Sequence, residues 1–460
     1  MKFYNRENEI NILTKKINSE DFEFIYLLGK RRVGKTRLIN YLNKEVLDRD
    51  FLYIFVEKTD LHIFLNKLER YIYEKTDIKY SFENIEDFLD FFFLQDKIDL
   101  LVLDEFQNFT YIDKSIFSIF QKKIDEFQYK SKNKIIVLGS IQSMMIKIFE
   151  NAKEPLYKRS TFNLLLKEFD LDTQIKILKD IFGENYNHQI LLDIYSIFGW
   201  IPYYFKSIYR ENYKEYNLKT ILQDLFFQEF AILRNEWKEI LIEEFGLKYK
   251  RFFAILEAIS RWKNKRNEIM QEVWLGTGEI DVYLKELSNI YDVIEIKSPI
   301  LEKRKNITTY SIKDNFLNFW FKYIYSNKEK FELWLYELIL KNSLKDFDHY
   351  KWFKFENLVK DFLILENQKW NLDFTFTKIW TWFDRKNNEI DLIYTDEKEN
   401  IVFLECKING DRINKSEKSQ LRYNVKLFLD KNPIFRDKNI KLAFAIFDKG
   451  KIVKFEDLVF

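Results

Sequence analysis

Between residues 22 and 170, short unbroken apolar runs alternate with stretches of helical periodicity. The runs are Phe24–Leu28, Phe51–Val56, Leu100–Leu103, Ile135–Leu138 and Phe162–Leu166. An apolar run bounded by polar residues is the pattern of a strand buried on both faces. Alternation with helices predicts a parallel α/β sheet. From about 170 to 245 the period is helical, with a break at Gly183 and a turn at Gly199–Pro202. From about 249 to 313 the pattern predicts three helices and a ribbon pairing Val293–Ile296 with Thr309–Ile312. From about 345 onward it predicts a helix, several strands, another helix and a last strand, Leu442–Phe447.

At roughly 100–200 residues per domain, a chain of 460 residues calls for two to four domains. Charged residues make up 32% and nearly cancel, leaving a formal net charge of +2. The overall charge therefore demands no nucleic-acid partner, and any such site must be a local basic patch. With one cysteine, Cys406, and three His, an intrachain disulfide is excluded and zinc chemistry disfavoured. Both facts fit a reducing, cytoplasmic setting. The opening MKFYNRENEI is too polar for a signal peptide. No apolar run approaches the ~20 residues that span a bilayer, so no membrane partner is expected.

The first run leads into Gly29-Lys30-Arg31-Arg32-Val33-Gly34-Lys35-Thr36-Arg37, and a helical pattern follows. Glycines let backbone N–H groups turn inward around a phosphate, and the helix N-terminus adds a favourable dipole. In this phosphate-binding loop Lys35 reaches the β/γ oxygens of ATP, and the Thr36 hydroxyl ligates Mg²⁺. The third run ends in Asp104-Glu105. Ligands of open α/β sheets bind at that strand edge. Asp104 is expected to hold Mg²⁺ and Glu105 to act as general base. Ser140, after the fourth run, is either a γ-phosphate sensor or a plain strand-ending turn.

The order of these motifs resembles archaeal-type ATPases of the AAA+/STAND branch. The residues that carry the resemblance are Asn5-Arg6-Glu7, the phosphate loop, Leu103-Asp104-Glu105-Phe106-Gln107 and Leu138-Gly139-Ser140. Pro155-Leu-Tyr-Lys158-Arg159 and Gly199-Trp200-Ile-Pro202 complete it. The family adds a winged helix and a C-terminal domain of the DUF234 type, so the resemblance covers nearly the whole chain. It implies an ATPase core at 1–168, a helical lid at 169–245, a winged helix at 246–325 and the C-terminal domain at 326–460. Arg159 is then a candidate to stabilise γ-phosphate charge, in cis or, within a homo-oligomer, in trans. Pro202 is expected to shape the lid over the nucleotide. Lys158 and Trp200 stand where the family usually has glycine, which puts the local backbone in question.

In the winged-helix segment Arg261, Lys263, Lys265 and Arg266 form one basic group, and Lys297, Lys303, Arg304 and Lys305 another. They suit DNA phosphates, but the interspersed Glu268, Glu272, Glu279 and Glu302 equally suit a protein-binding module.

The C-terminal segment carries a second constellation. Glu356 lies on the apolar stripe of a helix with Trp352, Val359 and Leu363, where a carboxylate needs a partner. Strand alternation in Asn388-Glu389-Ile-Asp391 places Glu389 and Asp391 on one face. In Leu404-Glu405-Cys406-Lys407, Glu405 and Lys407 share a face. A helical Glu, then Asp, then Glu-x-Lys resembles the PD-(D/E)XK nuclease superfamily. That resemblance implies a restriction-endonuclease-like fold in which Glu356, Asp391 and Glu405 hold Mg²⁺ or Mn²⁺ and Lys407 polarises water. The open alternatives are a surface hairpin of alternating charge and a fold retained without cleavage, in which the ATPase is a signalling or scaffolding switch.

Overall fold

The computed structural model describes residues 2–47, 51–77, 79–95, 97–213, 215–297, 308–384, 386, 388–408, 413–448 and 451–458. The chain forms two compact units: Met1–Phe169 with Ile201–Lys206, and Asp170–Trp200 with Ser207–Phe460.

In the first unit β1 (Glu23–Leu28), β2 (Leu52–Phe55), β3 (Leu100–Asp104), β4 (Lys134–Gly139) and β5 (Phe162–Leu165) form one sheet, in the order β2-β3-β4-β1-β5. Every neighbouring pair is parallel. Parallel strands need crossovers, and the helices of those crossovers cover both faces. One face packs against a phenylalanine-rich layer that includes Phe88, Phe92, Phe106, Phe120 and Phe149. The other packs under Leu13, Leu38, Ile39 and Leu42. β1, β3 and β4 are buried at every position, β2 at alternate positions, and β5 at none. Burial on both faces, expected for all five runs, thus holds for the interior strands. An edge strand has a neighbour on one side only, and its outer positions stay open.

This order places β4 between β1 and β3, so the ends of all three open on one edge of the sheet. Gly139 makes a tight approach possible there. A Cβ on it would stand 2.2 Å from Met145 Cγ, so a larger residue would push the helix Gln142–Glu150 away from the end of β4.

The second unit begins with helices that include Leu171–Phe182, His188–Phe198 and Leu218–Phe226. Helices Tyr249–Ser260, Arg266–Val273 and Thr277–Lys285 follow, then β6 (Ile294–Lys297) and β7 (Thr309–Ile312), antiparallel with Ile294 opposite Ile312. A single bridge from Lys265 to Thr309 adds a third edge to this ribbon.

The helix Tyr336–Gln368 runs 33 residues with no Pro or Gly, much longer than the 350–365 stretch its pattern suggested. At 1.5 Å per residue it is about 50 Å long. Lys351 on it pairs with buried Asp193 at 2.9 Å, the Tyr350 hydroxyl donates to Asn315 O at 3.3 Å, and Phe355 packs edge-on against Phe447. The Trp200 indole N–H donates to Asp361 Oδ2 at 2.7 Å.

A mixed sheet completes the unit: β8 (Lys378–Phe383), β9 (Glu389–Thr395), β10 (Asn400–Lys407), β11 (Asn439–Asp448) and β12 (Lys451–Leu458), in the order β12-β11-β10-β9-β8. β10 and β11 are parallel, joined through the helix Lys415–Lys431, and the other pairs are antiparallel. The strand expected to be last, β11, is therefore followed by one more. No helix among the described residues is long and apolar enough to cross a membrane.

Candidate functional site

The loop after β1 turns through Arg32 and Gly34, both left-handed at φ 68° and 99°. Only glycine reaches such a φ without strain. Arg32, which bears a side chain there, is held by its surroundings: its guanidinium lies 4.8 Å from the Tyr203 ring and donates to the Tyr204 hydroxyl at 3.2 Å. Lys35 is buried and donates to Gly29 O at 2.8 Å and Lys30 O at 3.2 Å. Burial pushes its pKa down to about 8, against the pull of Glu105 and Asp104, and the nearby Arg31 charge adds to the downward push.

Asp104, at the end of β3, is the hub of the site. Its Oδ2 accepts from the Thr36 hydroxyl at 2.7 Å and from the Tyr53 hydroxyl at 2.6 Å. Its Oδ1 accepts from the Glu105 amide at 2.9 Å. Glu105 is itself left-handed, at φ 57°, and its Oε2 accepts from the Ser140 hydroxyl at 2.7 Å and from the Gln107 side-chain amide. The structure thus gathers Lys35, Thr36, Asp104, Glu105 and Ser140 at one sheet edge. The Thr36 hydroxyl and Asp104 carboxylate are hard oxygens of the kind Mg²⁺ takes, and the loop amides with Lys35 suit a polyphosphate. The residues present fit Mg·ATP.

Other expected residues lie around this centre. Val33 is buried beneath the loop, and Lys30 pairs with Glu168 at 2.8 Å. Arg37 turns away, donating to Lys2 O at 3.0 Å and covering the Phe3 ring. Pro202 opens the helix Pro202–Glu211. Arg159 does not face its own phosphate loop. It precedes β5, whose Phe162 is level with Ile25 of β1, near the strand ends opposite the loop. There its guanidinium grips the Asp125 carboxylate at 2.7 and 3.1 Å. Lys158 takes the left-handed conformation a glycine would supply, φ 56°, whereas Trp200 does not, and its ring lies tilted against Tyr195 with centroids 4.2 Å apart.

In the second unit, Asp391 is buried and its Oδ2 accepts from the Cys406 amide at 2.7 Å. The paired register of β9 and β10 runs only as far as Leu392 and Leu404, so this side chain takes an amide just past the ladder. A surface hairpin is excluded: Asp391, Leu404 and Cys406 are buried. Glu389 is more exposed than Asp391, but its charge acts on the same cluster, raising both Glu356 and Asp391. A register irregularity between β8 and β9 falls between the pairs Trp380–Ile393 and Trp382–Ile390. Lys407 lies between Glu405 at 3.2 Å and Glu417 at 2.9 Å.

Burial pushes Asp391 well above the usual carboxylate range, with Glu356 and Glu405 adding to it. Burial also pushes Glu356 up to about 8, with Glu389 adding and Lys297 opposing. Burial raises Glu405 against the pull of Lys407. The donor set is chemically right for a hard divalent ion, and carboxylates crowded like this repel without one. Even so, among the described residues no three His, Cys, Asp or Glu side chains stand close enough to cage a metal as they are.

Of the basic groups, Arg261 pairs with Glu257 at 2.7 Å and Arg266 with Asp281 at 2.6 Å, while Lys263 and Lys265 are exposed. Lys297 stands 3.9 Å from Glu295. Lys303, Arg304 and Lys305 lie outside the described residues.

A family profile described as an ATPase domain predominantly from Archaea matches residues 3–208. A second, of archaeal and bacterial proteins of unknown function, matches residues 320–420. The protein MJECL04 of Methanocaldococcus jannaschii is 33% identical over 409 residues, covering 88% of this chain and 87% of its own. The chain belongs to this family of archaeal ATPases. Among solved structures, the Walker-type ATPase PABY2304 of Pyrococcus abyssi is 18% identical, covering 69% of this chain and 96% of its own at a TM-score of 0.46. The ORC2 protein of Aeropyrum pernix, in ADPNP–ADP complexes, is 12% identical, covering 75% and 96% at 0.43.

The chain is accordingly an ATPase, which binds and hydrolyses ATP. Bound Mg²⁺ supplies charge neutralisation at the phosphates. Thr36 and Asp104 are the side chains that would hold it, Lys35 would leave its carbonyl partners for phosphate oxygens, and Glu105 would accept a proton from water. Two features escaped the sequence reading. Tyr53 sits in a run scored simply as apolar, and only its pairing beside β3 brings its hydroxyl to Asp104. The Arg32 grip on Tyr203 and Tyr204 joins positions more than 170 residues apart that no local pattern connects.

Proposed function

We propose that the archaeal ATPase couples ATP hydrolysis to a metal-dependent nucleic-acid cleavage module in its C-terminal mixed-sheet domain. The observation that carries this reading is Asp391, buried beside Glu405 and Lys407 with a backbone amide as its hydrogen-bond donor. The order of elements supports it: long helix, three antiparallel strands, helix, then a strand parallel to the third, which is a restriction-endonuclease-like arrangement. Mg²⁺ or Mn²⁺ held by Asp391, Glu405 and Glu356 would activate water, and Lys407 would orient it. The three helices and ribbon at 249–312 form a winged helix in this reading, and DNA is the partner its exposed Lys263 and Lys265 suit. Arg159, directed away from its own phosphates, would serve a neighbouring copy in a homo-oligomer, leaving Asp125 to do so.

The test is to incubate the full chain with Mn²⁺ or Mg²⁺ and single- and double-stranded DNA, beside Lys407→Ala. Metal-dependent cleavage lost in Lys407→Ala supports the reading. A wild type that cuts no substrate with either metal favours the switch, in which the domain only binds. The lack of a ready-formed metal cage among the described residues is the observation on that side.

A further inference from the structure

The edge strand β2 contributes one polar group to an otherwise apolar segment, and that group meets the most connected carboxylate of the nucleotide site. Tyr53 pairs with Val102, and the pair two positions further on is Phe55 with Asp104. Directly paired residues of parallel strands project to one side, and alternate residues of a strand share a side. Tyr53 and Asp104 therefore lie on the same face, the one carrying the phosphate-loop helix Lys35–Tyr41. The ring is braced edge-on by Phe51 at 6.3 Å, and the hydroxyl ends 2.6 Å from Asp104 Oδ2. Thr36 donates to the same oxygen at 2.7 Å, and the Glu105 amide fixes the other.

From this geometry we infer that Tyr53 is a positioning residue of the metal–nucleotide site, holding the Asp104 carboxylate in the orientation from which it and the Thr36 hydroxyl receive Mg²⁺. Without Tyr53 the carboxylate keeps one hydroxyl and one amide and is free to rotate about its terminal bond. The Thr36 hydroxyl must offer a lone pair to the ion while its proton stays on Asp104, so a turned carboxylate disorders both oxygens at once. A tyrosine suits the task because its rigid ring reaches across from the neighbouring strand with few rotamers to freeze.

The inference rests on the ATPase reading and is separable from it. A fluorescent ATP analogue is titrated onto the full chain with and without Mg²⁺, for wild type, Tyr53→Phe, Asp104→Asn and the double variant. Tyr53→Phe keeps the ring, and thermal unfolding without ligand checks that the fold is intact. One hydrogen bond to a charged group corresponds to a change of about tenfold. The half-saturating Mg²⁺ concentration is expected to rise by about that factor, with metal-free affinity within about twofold of wild type. In the Asp104→Asn background Tyr53→Phe should add nothing, because the carboxylate it serves is gone. An unchanged Mg²⁺ requirement overturns the inference. So does an equal loss of affinity with and without metal, or an undiminished effect in the Asp104→Asn background. Failure of the wild type to retain Mg·ATP is a different result, which removes the ATPase reading instead.

Discussion

At the phosphate loop the charged groups already have internal partners: Lys35 on two loop carbonyls, Asp104 under three donors, Glu105 under Ser140 and Gln107. Around Asp391 the balance is reversed. Burial raises Asp391, Glu356 and Glu405, neighbouring carboxylates add to each, and Lys407 is shared between Glu405 and Glu417. The first site can exchange one set of hydrogen bonds for another when Mg·ATP arrives, and loses little when it leaves. The second holds electrostatic strain that a divalent cation would relieve. Under the proposed reading, a site that cycles thus differs in construction from one that would keep an ion.

The contrast can be broken at several points. The largest effect is expected for Glu105→Gln, which should keep ATP binding and lower turnover by about 10²–10⁴-fold, the range for loss of a general base. Turnover equal to wild type would remove Glu105 from that role. Lys35→Ala should weaken ATP by roughly 100-fold, from two lost charge-assisted hydrogen bonds, with little change in unliganded thermal stability. A calorimetric titration and a melting curve read the two quantities separately.

The C-terminal site should show itself through pH. A carboxylate whose folded pKa is raised takes up a proton on folding, so its contribution favours the fold at low pH and is lost as pH rises through the folded value. With Glu356 at about 8 and Asp391 also raised, stability without metal should decline between about pH 4.5 and 8, by on the order of 5 kcal/mol from Glu356 alone. Saturating Mn²⁺ should flatten that decline, and Asp391→Asn should raise stability at pH 8 by about 1 kcal/mol while abolishing the metal effect. Denaturant unfolding across this range, giving identical slopes with and without Mn²⁺, would end the comparison. The smallest effect is Arg159→Ala. Its pair with Asp125 is partly exposed, so the lost stability should stay below about 1 kcal/mol. A larger loss of ATPase activity than of stability would then report a role outside its own subunit, most clearly if it scales with protein concentration.

Much of the first unit was readable in advance because burial in a parallel sheet leaves a local trace. Phe24–Leu28 and Leu100–Leu103 are apolar throughout, and the turns after them carry the chemistry. The limits were of two kinds. Properties set by a neighbour were hidden: the open sides of β2 and β5, the reach of Tyr53 to Asp104, and the direction of Arg159. Local irregularity was hidden as well. The period-2 rule gave no sign of the broken register between β8 and β9. The last strand, β12, took its place by pairing with β11 rather than by any strong pattern of its own.

The long helix Tyr336–Gln368 has a consequence for how this chain can vary. Lys351 meets Asp193, Phe355 meets Phe447, and Asp361 meets Trp200 along one uninterrupted spiral. Each added residue turns a helix by about 100°. Exchanging side chains on its outer surface leaves this alignment untouched. Inserting or deleting a single residue between Lys351 and Asp361 would rotate everything beyond it and put these partners out of phase together. The helix is therefore permissive to substitution and closed to changes in length.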